Sequence, residues 1–172
     1  MAVLAVRLYP DPALRKKCRP VEDIDDRVRA LIADMVETVH EVPGVGLAAP
    51  QVGEALRLVV VDLSLGEDPG SLHVLVNPEV ESAEGEQREE EGCLSLPEVA
   101  EKVPRPARVR VRALNAEGRE ILLDGQGVLA RVLHHEIEHL DGKLLFDRLN
   151  RTKREAIKRR LRKRAKAALA SS

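Results

Sequence analysis

The spacing of apolar residues along the chain predicts three helices. Residues 25–41 place apolar side chains three and four positions apart, which indicates an amphipathic helix that Pro43 ends. Residues 125–140 form a second predicted helix, closed by Gly142. Its buried face is expected to contain Val128, Val132, His135 and His139. Residues 152–169 form a third predicted helix, which is positively charged almost all round.

Shorter runs predict β-strands between the helices. Residues 56–63 are apolar and β-branched, as in a buried strand. Arginine alternates with apolar residues within 107–114, so one face of that strand should meet solvent, and residues 115–118 form a predicted hairpin turn. Further strands are predicted at residues 72–76, 88–94, 99–103 and 119–123. This order favours a single α+β domain in which mostly antiparallel sheets pack around the second helix.

The distribution of charge sets the C-terminal segment apart from the rest. The 172 residues carry a net charge of −1 and are 44% hydrophobic, which is enough for one core. Residues 150–172 contain ten Lys or Arg and one acid, Glu155, which leaves a net charge of −10 for residues 1–149. We therefore expect one domain over residues 1–149, with a basic helix over 150–172 that is suited to a polyanion.

The cysteines and the N-terminal residues bear on the cellular compartment. Cys18 and Cys93 provide no disulfide framework, and we expect Cys18 to be a structural thiol. Residues 1–8 lack the long apolar region of a signal peptide, and no apolar run approaches membrane-spanning length. The sequence therefore predicts a cytoplasmic protein with no membrane partner.

The most informative motif is His-Glu-Ile-Glu-His at residues 135–139. Residues four apart lie on one face of a helix, so His135 and His139 can bind one metal ion. Glu136 lies beside them and can take a proton from a metal-bound water. Catalytic metal sites usually have three protein ligands and an open position, so two histidines leave this site one ligand short.

Several residues can be considered as the third ligand. Metzincin proteases have a third His where this chain has Leu145, so that interpretation fails. A zinc endopeptidase with an acidic third ligand would have to use Asp147 or Glu155, and neither is a good candidate. Cys93 is better placed, because it lies in a polar-flanked segment and its thiolate would add negative charge at the metal.

A glycine- and alanine-rich segment, residues 44–53, is a second candidate for chemistry. Its small side chains allow close approach by a substrate, and the amide of Gln51 can donate and accept hydrogen bonds. The segment lacks the spacing and the lysine of a P-loop, so phosphate binding is not expected.

These three segments in this order, Gly-Val-Gly-Leu-Ala-Ala-Pro-Gln, Glu-Gly-Cys-Leu-Ser and His-Glu-Ile-Glu-His, resemble the motifs of the peptide deformylases. The resemblance covers most of the chain. It implies a metal-dependent hydrolase that removes the N-formyl group from the initiator methionine of nascent polypeptides.

The resemblance also implies a role for each motif residue. The implied metal ligands are Cys93, His135 and His139. Glu136 would be the general base that later protonates the departing amine. The amide of Gln51 and the backbone N–H of Leu94 would form the oxyanion hole, and Gly46 would meet the substrate through its backbone.

Apolar residues near these motifs are expected to hold the methionine side chain. They are Val45, Leu47, Val128 and Val132. We further expect Glu91 to pair with Arg105 and hold the cysteine segment. The chain departs from the family pattern at His134, where Gln is common, and at Glu138, where Asp is frequent, and we expect tuning rather than loss of activity.

The family resemblance implies one divalent metal ion per chain, with Fe²⁺ as the working ion and Zn²⁺ or Ni²⁺ as possible occupants. It also implies that the basic helix contacts the ribosome, and no specific DNA partner is expected. His40 and His73 are expected to be ordinary surface or helix-end residues. The alternatives to a deformylase are a zinc endopeptidase and a catalytically idle RNA- or ribosome-binding module.

Overall fold

Three α-helices, four short 3₁₀-helices and seven strands lie within residues 2–171, the part of the chain that the computed structural model describes. The helices are α1 (Asp26–Glu41), α2 (Val128–His139) and α3 (Arg151–Ser171). The strands are β1 (Gly46–Ala48), β2 (Leu58–Asp62), β3 (Leu72–Glu84), β4 (Gln87–Cys93), β5 (Leu96–Arg105), β6 (Arg108–Leu114) and β7 (Glu120–Gln126). Within residues 2–171, no helix combines the length and the apolar character that crossing a membrane requires.

The strands form two antiparallel sheets. One sheet has five strands in the order β1-β2-β3-β6-β7, and the other is the β4-β5 hairpin. Every pair except β3 with β6 joins strands that follow each other along the chain, and such neighbours pair readily in antiparallel fashion. The predicted α+β class is confirmed.

Strand β2 explains why helices cover both faces of the larger sheet. All five of its residues are buried, and successive side chains point to opposite faces. Val59 and Val61 pack in the cluster that contains Leu133 and Ile137 of α2. On the other face, Leu58 and Val60 pack with α1 residues of a second cluster, which are Val28, Ile32, Met35 and Val39. The sheet therefore lies between α1 and α2.

The β4-β5 hairpin has its own apolar cluster, which it shares with α3. This cluster contains Tyr9, Leu96 and Phe146, and it includes Ile157 and Leu161 of α3. These two helix residues are only 4% and 2% exposed. The basic helix is therefore packed against the body along one face.

The structure changes some of the predicted boundaries. Strand β3 extends eight residues past the predicted end at residue 76, because its charged outer half pairs with β6, where Glu81 contacts Arg112. The sequence did not predict β1, since its residues Gly46–Ala48 are poor strand formers that pair with β2 only in the folded chain. Helix α2 begins at Val128, because residues 125 and 126 belong to β7.

Candidate metal centre

Helix α2 presents its two histidines side by side. His135 and His139 are 8% and 1% exposed, and their Nε2 atoms lie 3.2 Å apart. The four-residue spacing puts both rings on one face of the helix, as the sequence predicted. Both rings are thereby oriented toward one point at the edge of the core.

Cys93 ends β4 next to this helix face. Its Sγ lies 3.5 Å from Nε2 of His139, and the donor atoms of the three residues all lie within 4.8 Å of one another. One thiolate and two imidazoles suit a tetrahedral divalent ion that keeps one position open. The side chains therefore fit a catalytic metal ion.

The carboxylate of Glu136 lies beside these donors and is 5% exposed. Among residues 2–171, its Oε1 has no hydrogen-bond partner. Burial raises the pKa of Glu136 to about 7. A buried carboxylate that holds an unpaired oxygen and has a pKa near neutrality is suited to accepting and returning a proton.

The amide of Gln51 is fixed in a single orientation. Its Oε1 accepts a hydrogen bond from the backbone N–H of Ala48 at 2.9 Å. Its Nε2 donates to Oγ of Ser95 at 3.1 Å and lies 3.6 Å from Sγ of Cys93. A donor held in place before the reaction can stabilise negative charge without reorganising.

Glu91 connects His135 to a buried arginine, Arg105. Its Oε1 lies 2.9 Å from Nδ1 of His135, so the ring donates from Nδ1 and leaves Nε2 for a metal. Arg105 donates to both carboxylate oxygens, at 2.6 Å and 3.3 Å, which confirms the predicted pairing. Burial would raise the pKa of Glu91, but hydrogen bonds with His135 and Arg105 outweigh it and lower that pKa.

The remaining histidines and Cys18 lie apart from the three donors. Nδ1 of His134 lies 3.0 Å from Nη1 of Arg105, and burial lowers the pKa of His134 to about 4. His40 is an exposed residue in the last turn of α1, as predicted, and it pairs at 2.8 Å with the buried Asp62. His73 is half-buried in β3. Cys18 is buried in the apolar cluster against α2, as expected of a structural thiol.

A cavity of about 560 Å³ opens beside the donors. Its walls include Val45, Gly46, Gln51, Leu94, Val132 and Glu136. Leu47 and Val128 do not line it, which corrects the sequence-based expectation. Leu47 points into the core against α1 with no exposed surface, and Val128 is 52% exposed because it is the first residue of α2.

Three further residues belong to the site but were not predicted from the sequence. Ser95 orients Gln51, and it could have been found because it closes the Glu-Gly-Cys-Leu-Ser motif. Arg131 lies one helical turn before His135 and lines the cavity, a position that helical spacing also indicates. Glu98 lines the cavity too, but nothing in the sequence pattern marks it.

A His-Glu-x-x-His helix whose histidines converge with a cysteine, in an α+β fold, is typical of a metal-dependent hydrolase. A model of the polypeptide deformylase family matches residues 3–155. The chain is 47% identical to a peptide deformylase of Acidobacterium capsulatum over 97% of this chain and 98% of that one. It is 48% identical to one of Syntrophobacter fumaroxidans, over 99% and 100%. A crystal structure of a peptide deformylase from Legionella pneumophila superposes with a TM-score of 0.90 at 42% identity, with 98% of each chain covered.

The chain belongs to the polypeptide deformylase family. Its activity is the hydrolytic removal of the N-formyl group from the initiator methionine of nascent polypeptides, with release of formate. The family resemblance found in the sequence is confirmed, and the enzyme is metal-dependent.

Proposed function

We propose that Cys93, His135 and His139 hold one divalent metal ion and that Glu136 is the general base. The convergence of three donor atoms within 4.8 Å, next to a buried carboxylate with an unpaired oxygen, carries this proposal. Gln51 and the backbone N–H of Leu94 supply the oxyanion hole, and Gly46 contacts the substrate through its backbone.

In the proposed mechanism, Glu136 transfers one proton, and Gln51 and Leu94 stabilise one negative charge. A divalent metal, when bound, makes water more acidic and polarises a carbonyl. Glu136 accepts the proton of the attacking water while a C–O bond forms at the formyl carbon. Gln51 and Leu94 donate to the oxygen that becomes negative. The C–N bond then breaks, and Glu136 gives the proton to the departing amine, which yields formate and a free N-terminus.

The cavity supports methionine as the residue that carries the formyl group. Val45 and Val132 provide an apolar wall near Glu136 and the metal donors. An unbranched thioether side chain fits such a wall without requiring hydrogen-bond partners. The proposed methionine pocket therefore consists of Val45 and Val132 rather than the four residues expected from the sequence.

The metal and its ligands can be tested with two variants. Glu136→Gln should keep the metal and lose formate release by about 10²- to 10⁴-fold, because it removes the proton acceptor. Cys93→Ala should lose most of the metal, since it removes one of three ligands. Metal analysis of anaerobically purified protein, with formate release from formyl-Met peptides, checks both. A Cys93→Ala protein that is fully loaded with metal would contradict the ligand assignment.

We propose Fe²⁺ as the working ion. One thiolate and two imidazoles bind Zn²⁺ and Ni²⁺ as well, so affinity alone does not select iron. Formate release by the Fe²⁺, Ni²⁺ and Zn²⁺ forms should be highest for Fe²⁺. Faster formate release by the Zn²⁺ or Ni²⁺ form than by the Fe²⁺ form would contradict this choice of metal.

We further propose that the enzyme is cytoplasmic and that its basic helix contacts the ribosome. Residues 1–149 then form the catalytic domain, and residues 150–172 bring it to nascent chains. Ten Lys or Arg residues in that segment support the proposal, because ribosomal RNA is a polyanion.

A further inference from the structure

Charged side chains of alternating sign lead from the metal donors towards the surface, since side-chain exposure rises from 1% at Arg105 to 13% at Glu138 and 33% at Arg148. This series of side chains begins at His135, whose Nδ1 contacts Oε1 of Glu91. Arg105 donates to that same oxygen at 2.6 Å. Because one oxygen serves both partners, a displacement of Arg105 also displaces the acceptor that orients His135.

Arg105 has a second carboxylate partner on its other side. Its guanidinium, with a side chain only 1% exposed, also donates to Oε1 of Glu138. A buried guanidinium needs anionic partners to offset its desolvation, and its planar fork matches carboxylates in geometry. Glu91 and Glu138 thus hold the guanidinium between them.

Glu138 is in turn held by Arg148 of the short helix Leu145–Arg148. Nε of Arg148 lies 2.8 Å from Oε1 of Glu138, and Nη2 lies 3.0 Å from Oε2. Such a bidentate pair fixes the plane of a carboxylate as well as its position. Arg148 also reaches the carbonyl oxygen of Pro104 at 3.4 Å, next to Arg105 in the chain.

We infer that Glu138 and Arg148 are positioning residues of the metal centre, which act on His135 through Arg105 and Glu91. Neither residue touches the donor atoms, and neither has one of the roles proposed above for the motif residues. Nη2 of Arg105 lies 3.4 Å from Nδ1 of His135, so the guanidinium must be held in place for the ring to keep its contact with Glu91. This inference rests on the proposed metal site.

The test measures how tightly the purified protein binds Co²⁺, by competition with a chelator, and records the visible absorption of the Co²⁺ form. Glu138→Gln should raise the Co²⁺ dissociation constant by about tenfold or more and shift the absorption bands, because ring orientation changes. Arg148→Met should act in the same direction by a smaller factor. The double variant, Glu138→Gln with Arg148→Met, should raise the Co²⁺ dissociation constant by less than the product of the two single increases, since both residues act through Arg105. Glu138→Asp keeps the charge and should restore much of the affinity.

Arg15→Met is the matched control. Arg15 forms a bidentate pair with Asp147, at 2.6 Å and 3.2 Å, and reaches the carbonyl oxygen of Gly142. Its side chain is 38% exposed, against 33% for Arg148. Losing it removes a comparable ion pair without touching Arg105, so Co²⁺ affinity should stay within about twofold of wild type.

Each outcome has a definite meaning. If Glu138→Gln and Arg148→Met bind Co²⁺ as tightly as wild type, or if Arg15→Met weakens binding equally, the inference is wrong. If wild type itself fails to bind Co²⁺, the proposed metal site is wrong instead. Circular dichroism shows whether Glu138→Gln is folded, and if it is not, Arg148→Met decides, because its side chain is more exposed.

Discussion

Gly46 lies so close to Glu136 that any side chain at this position would move the carboxylate. A Cβ built on Gly46 would be 2.7 Å from Oε2 of Glu136. Gly46→Ala should therefore lower kcat/KM for a formyl-Met peptide by about 10²-fold, because the proton acceptor is displaced by a sizeable fraction of an ångström.

Gly70→Ala is the control for that experiment. A Cβ at Gly70, in the short helix Pro69–Ser71, would meet the carboxylate of Asp68, with Oδ1 nearest at 3.3 Å, away from the cavity walls. Its kcat/KM should match wild type. An unchanged kcat/KM in Gly46→Ala would show that Glu136 does not need the space beside Gly46.

Asp62 stabilises the turn after β2 through several hydrogen bonds to its buried carboxylate. It accepts from His40, from the hydroxyl and backbone N–H of Ser64, and from the N–H of Gly66. Burial would raise its pKa, but the hydrogen bonds from Ser64, His40 and Gly66 outweigh burial and lower it. Asp62→Asn should reduce the free energy of unfolding at pH 7 by about 2 kcal/mol.

The pH dependence of that loss follows from the sign of the shift. Because the folded pKa lies below the unfolded value of 3.8, the stabilisation is present above that value and is lost as the pH falls through the folded pKa. Denaturant unfolding, followed from pH 7 down to below the folded pKa of Asp62, should show the free energies of unfolding of wild type and Asp62→Asn converging in acid. The control is Glu81→Gln, at an exposed pair with Arg112, which should change the free energy of unfolding little. A loss of stability in Asp62→Asn that stays the same at every pH would contradict the charge assigned to Asp62.

At the scale of elements, α3 is bound to the body by two aliphatic residues despite its charge. Leu161 is 2% exposed and shares a cluster with Tyr9 and Phe146, the chain's two aromatic residues, which meet edge-to-face at 5.3 Å. Asn150 accepts from the N–H of Lys153 and so satisfies a free donor at the start of the helix.

Leu161→Ala should lower the free energy of unfolding by about 3 kcal/mol, because it leaves a cavity under the helix. Thermal and denaturant unfolding measure this. Leu122→Ala, at a residue of β7 that is 48% exposed, is the control and should change stability by less than about 0.5 kcal/mol. Equal losses in both variants would mean that α3 is not packed as described.

The elements differ in how far local sequence determines them. Helices α1 and α2 were predicted within a few residues, because their periodicity is strong. Helix α1 also begins at a side-chain cap, Asp25, which accepts from the N–H of Val28. Strand β6 was predicted with its exposed arginines, since alternation is a local property. Strand β1 and the outer half of β3 were not, because only pairing with distant strands makes them extended.

At the scale of the whole molecule, an acidic body carries a basic helix whose charged side faces outward. Arg159, Arg160 and Lys163 of α3 are exposed and form no ion pair within residues 2–171. Deleting the helix would uncover Ile157 and Leu161, so neutralising exposed charges is the cleaner test of ribosome contact.

Changing Arg159, Arg160 and Lys163 together to Gln should weaken ribosome binding and lower its dependence on salt by about two units of log Kd per log salt. Formate release from a short free peptide should be unchanged. The matched control neutralises Lys16, Lys17 and Arg119, which are equally exposed but lie outside α3. Ribosome affinity that stays unchanged, or that falls equally in the control, would contradict the proposed contact.

The sequence by itself determined the kinds of elements, the family and the chemical groups of the site, because periodicity and motif spacing are local. It could not determine that Sγ of Cys93 lies 3.5 Å from His139, since 46 residues separate them. Nor did it indicate that Arg148 holds Glu138, or that Leu47 faces the core while Val45 lines the cavity. These contacts depend on how the sheets and helices pack, and packing brings together residues that no local pattern relates.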